Sequence, residues 1–338
     1  MPKSLRTIIN FAIFLAIGLG LIWLVTHNLT AQEKEDIIRS FRKANYWLII
    51  PVIFVGIASH WFRAVRWKLL MEPLGYHPST LNTFFAVMVG YLTNLAIPRL
   101  GEVTRCGIVA KYENIPAEKL VGTMIAERAV DMLVLMLLML VTVLLQLDTV
   151  GVFFTQHIWV PLQTKLGNAG GSRTWILAGI VIVLVVLGII AFRIIARSKV
   201  GDKVKKIFRG VWEGVLSIGQ MQKKGWFIFH SLFIWVLYFI MMYLGFLCMD
   251  ETRALGVGAA LSVLCFGSIG MIATQGGIGA YQILVQQTLL LYGIHATTGY
   301  AFGWIVWLAQ TLMVIVIGFA SMIALPIYNK GNRTPVAE

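Results

Sequence analysis

The sequence predicts an all-α polytopic integral membrane protein with about six full spans, two re-entrant helical hairpins and an inverted-repeat topology. Three observations predict it. Of 338 residues, 58% are hydrophobic and only 13% charged, with a mean hydropathy of +0.81, far from a soluble globular composition. Several apolar runs reach the roughly 20 residues that cross a bilayer. Two further apolar segments are too short or too polar to span, and they break at Pro98 and at Gly276, Gly277 and Gly279. The net charge of +13 does not indicate nucleic acid, because Lys and Arg accumulate in cytoplasmic loops and no recognition module interrupts the spans. Cys106, Cys248 and Cys265 are scattered, without CxxC or metal-ligand spacing.

Taken in order, residues 8–25 form the first span, read as uncleaved because no small-x-small site stands at the end of the run, just before His27. In 26–45, Ile37, Ile38 and Phe41 at helical spacing predict an interfacial helix. The second span, 46–62, ends at Arg63, Arg66 and Lys68, a cytoplasmic exit. Arg63 and Arg66, with Trp61 and Trp67, read as headgroup-level anchors. Residues 81–97 are marginal in length and contain Asn82, Thr83, Gly90, Thr93 and Asn94. Arg99, Arg105, Lys111 and Lys119 follow, and charge bias keeps them cytoplasmic only if the segment dips in and returns.

The next span, 121–147, carries Glu127, Arg128 and Asp131 at its entry. Its uncharged part, 132–147, covers about 24 Å at about 1.5 Å per residue, less than the hydrocarbon core, so the charged turn is drawn toward the membrane. The loop 148–174 reads as external, and 175–192 spans back. Residues 193–224 carry nine Lys and Arg against Asp202 and Glu213, the strongest cytoplasmic signal in the chain. Residues 226–249 span outward. The apolar segment 254–273 breaks at 274–282 and resumes over 283–292, a second hairpin entering from outside. The last span is 300–327. The chain therefore reads as a single membrane domain, 1–338, with a first half (1–192), a basic cytoplasmic linker (193–225) and a second half (226–338). Both termini are expected in the cytoplasm. Two discontinuous elements entering from opposite faces predict an inverted repeat meeting near the midplane.

No HExxH, phosphate-binding Gly-rich loop or GxSxG occurs. The candidate site is the polar break and the charged turn: Asn94, Arg99, Glu102, Arg105, Glu127, Arg128 and Asp131. Arginines mixed with acids suit a phosphate or zwitterionic headgroup better than a metal. Glu127 and Asp131 share a helix face, and Arg128 is spaced to pair with Asp131. At the second break, Gly276, Gly277 and Gly279 permit a tight turn and can expose backbone amides to an anion, while Gln275, Tyr281 and Gln282 add neutral donors and acceptors.

The block Asn94-xxx-Pro98-Arg99-x-Gly101-Glu102-xx-Arg105, followed by Glu127-Arg128-xx-Asp131 and later by Gly276-Gly277-Ile278-Gly279, resembles the membrane region of lysylphosphatidylglycerol synthetases. These are the multiple peptide resistance factors of bacteria and their stand-alone flippase-like relatives. The resemblance covers essentially the whole chain. It implies translocation of a lipid or lipid-linked substrate with an anionic or zwitterionic headgroup, in the bacterial cytoplasmic membrane, without cofactor or metal. The chain stops at Glu338, so it is expected to lack the synthetase domain and not to be an enzyme. It departs from the family where Gln275 precedes the glycines in place of Pro and Gln282 stands where an acid is expected, which argues against a cationic aminoacyl headgroup. Arg99, Arg105 and Arg128 are expected to meet phosphate, balanced by Glu102, Glu127 and Asp131. The alternatives are a lipid-modifying transferase or phosphatase using Glu127 and Asp131, and a non-transporting scaffold for envelope assembly. The expected partner is a membrane lipid or lipid-linked headgroup; self-association and an envelope enzyme stay open as protein partners.

Overall fold

The computed structural model describes residues 15–16, 18–27, 29–97, 100–147 and 221–330. Within them the chain is helical, with 10 α-helices and no strand. These are α1 (Gly18–His27), α2 (Ala31–Lys43), α3 (Ile49–Met71), α4 (Thr80–Ala96), α5 (Leu100–Glu113), α6 (Ala117–Leu145), α7 (Lys224–Phe246), α8 (Val257–Ala273), α9 (Ala280–Leu290) and α10 (Ala296–Lys330). Four stretches are long and apolar enough to cross a membrane: Tyr46–Leu74, Ala117–Leu145, Lys224–Phe246 and Ala296–Lys330. Residues 8–14 and 17 of the expected span at 8–25, and all of that at 175–192 and the basic linker through 220, lie outside the described residues.

Helix α2 has the amphipathic character expected of an interfacial helix; only Ser40 is buried. Thr30 caps it, receiving the Glu33 amide on its side chain while Glu33 accepts from the Thr30 amide and hydroxyl. These bonds hold the Glu33 carboxyl below its ordinary range, the backbone one most strongly.

Helices α4 and α5 form the first hairpin and α8 and α9 the second; all four are shorter than a span. The first hairpin packs backbone to backbone at Gly90 and Gly101. A Cβ on Gly90 would lie 2.8 Å from the Gly101 carbonyl oxygen, and one on Gly101 would overlap the Gly90 oxygen. The second hairpin turns through Gly276, Gly277 and Gly279 at φ of 58°, 78° and 79°. Three left-handed residues within four positions are tolerated only as glycine.

The hairpins enter from opposite ends of the bundle. At the base of the first, Asn82 exchanges amide hydrogen bonds with Asn329, near the end of α10. Beside the base of the second, Gly299, near the start of α10, lies against Gln286. The loops meet between: Trp307 donates its indole N–H to the Gly276 carbonyl at 2.7 Å, and Gly318 packs on Met88 and Leu92. Trp307 is about 16 Å from one end of α10 and Gly318 about 18 Å from the other, so the loops meet near mid-height. Gly18 of α1 also touches Ile278 and Gly279 of the second loop.

The order long helix, hairpin, long helix occurs twice, as α3 to α6 and as α7 to α10, and the two units run in opposite senses. Lys223 before α7 pairs with Glu72 after α3, while Met241 further along α7 reaches Gly56 further back along α3. Helix α10 packs on α4 of the other unit, and α6 reciprocally on α8. This is the arrangement expected of an inverted repeat.

The backbone contact in the first hairpin sets a test. Gly101→Ala should lower the thermal unfolding midpoint in detergent, because overpacking costs about 1–3 kcal/mol against the about 1 kcal/mol that Ala gains over Gly in a helix. Gly107→Ala, on the same helix with nothing near its Cβ, should leave the midpoint unchanged or raise it.

Candidate functional site

Helix α3 does not end at Phe62. It continues to Met71 and carries Arg63 and Arg66 inside the bundle, where they are 5% and 0% exposed. Trp67 is also fully buried, donating its indole N–H to Thr123 at 2.9 Å. These residues are therefore not headgroup-level anchors. The physical reason lies on α6, where Glu127 and Asp131 stand four residues apart on one face and give the arginines opposite charges. Arg66 donates to Asp131 Oδ1 at 2.6 Å and to Glu127 Oε1 at 2.9 Å. Arg63 donates to Asp131 Oδ2 at 3.1 Å and to the Tyr238 hydroxyl at 3.0 Å, with Glu127 Oε1 at 3.6 Å. Ser231, two turns before Tyr238 on α7, lies 3.4 Å from Arg66. Two arginines and two carboxylates thus tie α3, α6 and α7 together. They lie about 12 Å (Arg63) and about 8 Å (Arg66) from the Met71 end of α3.

Helix α5 of the first hairpin brings a third arginine to the same carboxylate. Arg105 Nη2 is 2.8 Å from Glu127 Oε2, yet neither atom is aligned for a hydrogen bond. The Arg105 guanidinium instead lies over the Trp67 ring at 4.5 Å, a cation–π contact. Nearer the surface, Arg128 Nε is 3.2 Å from Glu102 Oε1, again without hydrogen-bond alignment. Contacts between α3 and α6 are therefore hydrogen-bonded, whereas those between α5 and α6 are charge contacts alone. Charge-assisted hydrogen bonds add direction to the charge attraction, and the α5 contacts lack that directional part.

The structure brings Glu102, Arg105, Glu127, Arg128 and Asp131 together. It pairs Arg128 with Glu102 rather than with Asp131. Pro98 and Arg99 lie outside the described residues. Asn94 closes the first loop, accepting from the Gly101 amide at 2.8 Å. Its backbone carbonyl accepts from the Gln275 side chain at 2.7 Å, and this bond joins the two loops. The amides of Gly277 and Gly279 are engaged inside the second turn, with the Thr274 carbonyl and the Gln282 side chain, so both already have acceptors. Tyr281 is buried with its ring against Gly267 and its backbone against Gly270. Gln282 is buried with its amide nitrogen unpartnered. Among the described residues no group of three His, Cys, Asp or Glu could hold a metal ion. The second hairpin abuts the first loop through its turn at Gln275 and contributes no residue to the charged cluster.

Sequence reasoning missed Arg63, Arg66, Tyr238 and Ser231. The available signal was spacing: arginines three apart on one span match acids four apart on the next.

The family described as "Lysylphosphatidylglycerol synthase TM region" matches residues 9–318. The chain belongs to this family. A UPF0104 membrane protein of Methanocaldococcus jannaschii is 28% identical over 100 residues, which cover 29% of this chain and 30% of that relative. The matched region thus spans less than a third of the relative's length. No solved structure matches the chain. With its four long apolar helices, the chain is a multi-pass membrane protein.

The cluster predicts a steep contrast between buried and exposed ion pairs. Glu127→Gln leaves three arginines short of a buried partner and should destabilise the protein by about 3–5 kcal/mol. Lys223→Ala, removing a partly exposed pair with Glu72, should cost under about 1 kcal/mol. Thermal or denaturant unfolding in one detergent compares the two.

Proposed function

We propose that this protein translocates a lipid or lipid-linked substrate, moving its anionic or zwitterionic headgroup between leaflets. The observation that carries the reading is a buried set of opposed charges shared by α3, α5 and α6, which reaches through Arg105 onto the hairpin whose loop meets the other broken helix at mid-height. A headgroup charge costs about 2.5–3.5 kcal/mol at the bilayer centre even on insertion scales. A protein lowers that cost by offering opposite charge along the path. Arg105 and Arg128 are the groups to meet phosphate, because their carboxylate contacts lack hydrogen bonds. Glu127 and Glu102 hold them between substrates. Arg63 and Arg66 keep Glu127 and Asp131 in place. The acyl chains stay in lipid, and the hairpins separate the two sides.

Orientation follows from charge. The end of the bundle holding the base of the first hairpin carries Lys68, Lys111, Lys119, Lys223, Lys224 and Lys330 against Glu72, Glu113 and Glu118. At the opposite end, α2 and the turn after α7 carry basic and acidic residues in equal number. The first end is therefore cytoplasmic; a bacterial cytoplasmic membrane is what the family resemblance implies. Membership of a family named for the membrane region of a lipid synthase supports a lipid substrate.

The test is a leaflet-exchange assay in proteoliposomes with a fluorescent phospholipid. Wild type should accelerate exchange over protein-free vesicles. Arg105→Gln and Arg128→Gln, inserted at equal level, should each lose at least about tenfold of that rate, the loss of about 1.4 kcal/mol or more of stabilisation along the path. Full exchange by both variants overturns the assignment.

A further inference from the structure

The charges of the buried cluster do not balance. Arg63, Arg66 and Arg105 face Glu127 and Asp131, three positive against two negative. Arg128 and Glu102 neutralise each other. Among the described residues no third carboxylate comes within ion-pair distance of these three arginines. His60, one turn before Arg63, is a further nitrogen base, its Nδ1 buried and unpartnered; it supplies no negative charge. The donors are in excess as well. Arg63, Arg66 and Arg105 each bury an Nε–H without an acceptor. Arg105 is 3% exposed and makes no aligned hydrogen bond to Glu127. An uncompensated charge and several orphaned donors at this depth are costly, and one ligand relieves both: an acceptor-only group carrying net negative charge.

We infer that the site selects headgroups of net negative charge, with phosphate as the only ionised group, over zwitterionic and net-cationic ones. The inference rests on the translocase reading and narrows it to one substrate class. A phosphodiester brings one negative charge and no donor, so the three arginines become balanced three to three. A zwitterionic headgroup returns the excess with its ammonium. A lysylated phosphatidylglycerol carries net positive charge and enlarges it, and Gln282 and Gln275 offer that headgroup no carboxylate at the second loop.

The experiment uses the purified full chain in detergent, with thermal unfolding read against dioctanoyl phosphatidylglycerol, dioctanoyl phosphatidylcholine and inorganic phosphate. Phosphatidylglycerol should raise the midpoint at a concentration at least about tenfold below phosphatidylcholine. Inorganic phosphate matching the lipid would assign the site to free phosphate and overturn the lipid source; a shift with the lipid alone supports it. Arg105→Gln, which balances the cluster at two to two, should abolish the preference. Where that variant does not fold, Ser231→Asp sets a third carboxylate beside Arg66 and removes no arginine; it too should abolish the preference. Equal response of wild type to both lipids, or a preference that survives in the variants, overturns the inference. The two readings separate in vesicles. Equal exchange of fluorescent phosphatidylglycerol and phosphatidylcholine overturns charge selection and leaves the translocase. Preference in unfolding with exchange of neither overturns the translocase alone.

Discussion

The bundle is organised around Glu127. This carboxylate is fully buried, and three arginines from two other elements converge on it. Ionised groups remain at such a position only when their partners are held in place. That requirement accounts for much of the surrounding structure. Helix α3 continues past its apolar stretch so that Arg63 and Arg66 reach α6. Tyr238 and Ser231 of α7 face the arginine donors that the acids leave over. Helix α5 lies close to α4 through paired glycines, which helps bring Arg105 to the far oxygen of the same carboxylate.

Much of the architecture was legible in the sequence, for reasons particular to membranes. Backbone breaks at membrane depth are tolerated only inside protein, so Pro98 and the glycines from Gly276 mark loops. Charge bias then decides that each hairpin returns to its own side. The meeting of the loops follows from that topology and is realised in the bond between Gln275 and Asn94. The candidate residues on α5 and α6 were legible as well, since acids and arginines inside an apolar segment need partners.

The partners themselves were not legible. Arg63 and Arg66 follow the last apolar residues of a span, and there the positive-inside rule gives cations a sufficient role at the interface. Burial overrides that role only because Glu127 and Asp131 sit opposite, and which helices lie side by side is a property of the packed bundle. The glycine turn carries a similar lesson. A run of glycines is compatible both with a ligand cradle and with a left-handed turn, and the acceptors that occupy its amides, the Thr274 carbonyl and the Gln282 side chain, become visible only once the chain is folded.

The bond between Gln275 and Asn94 has a consequence for the membrane itself. It fastens the innermost point of one hairpin to that of the other, with the Trp307 indole holding the same turn from a third helix. Neither hairpin can withdraw without breaking that bond or pulling on its counterpart, so a displacement of one break is mechanically coupled to the other. In the translocase proposed above, such coupling would let a headgroup exchange sides without a continuous aqueous path for small ions, so that the electrical gradient across the bilayer is preserved.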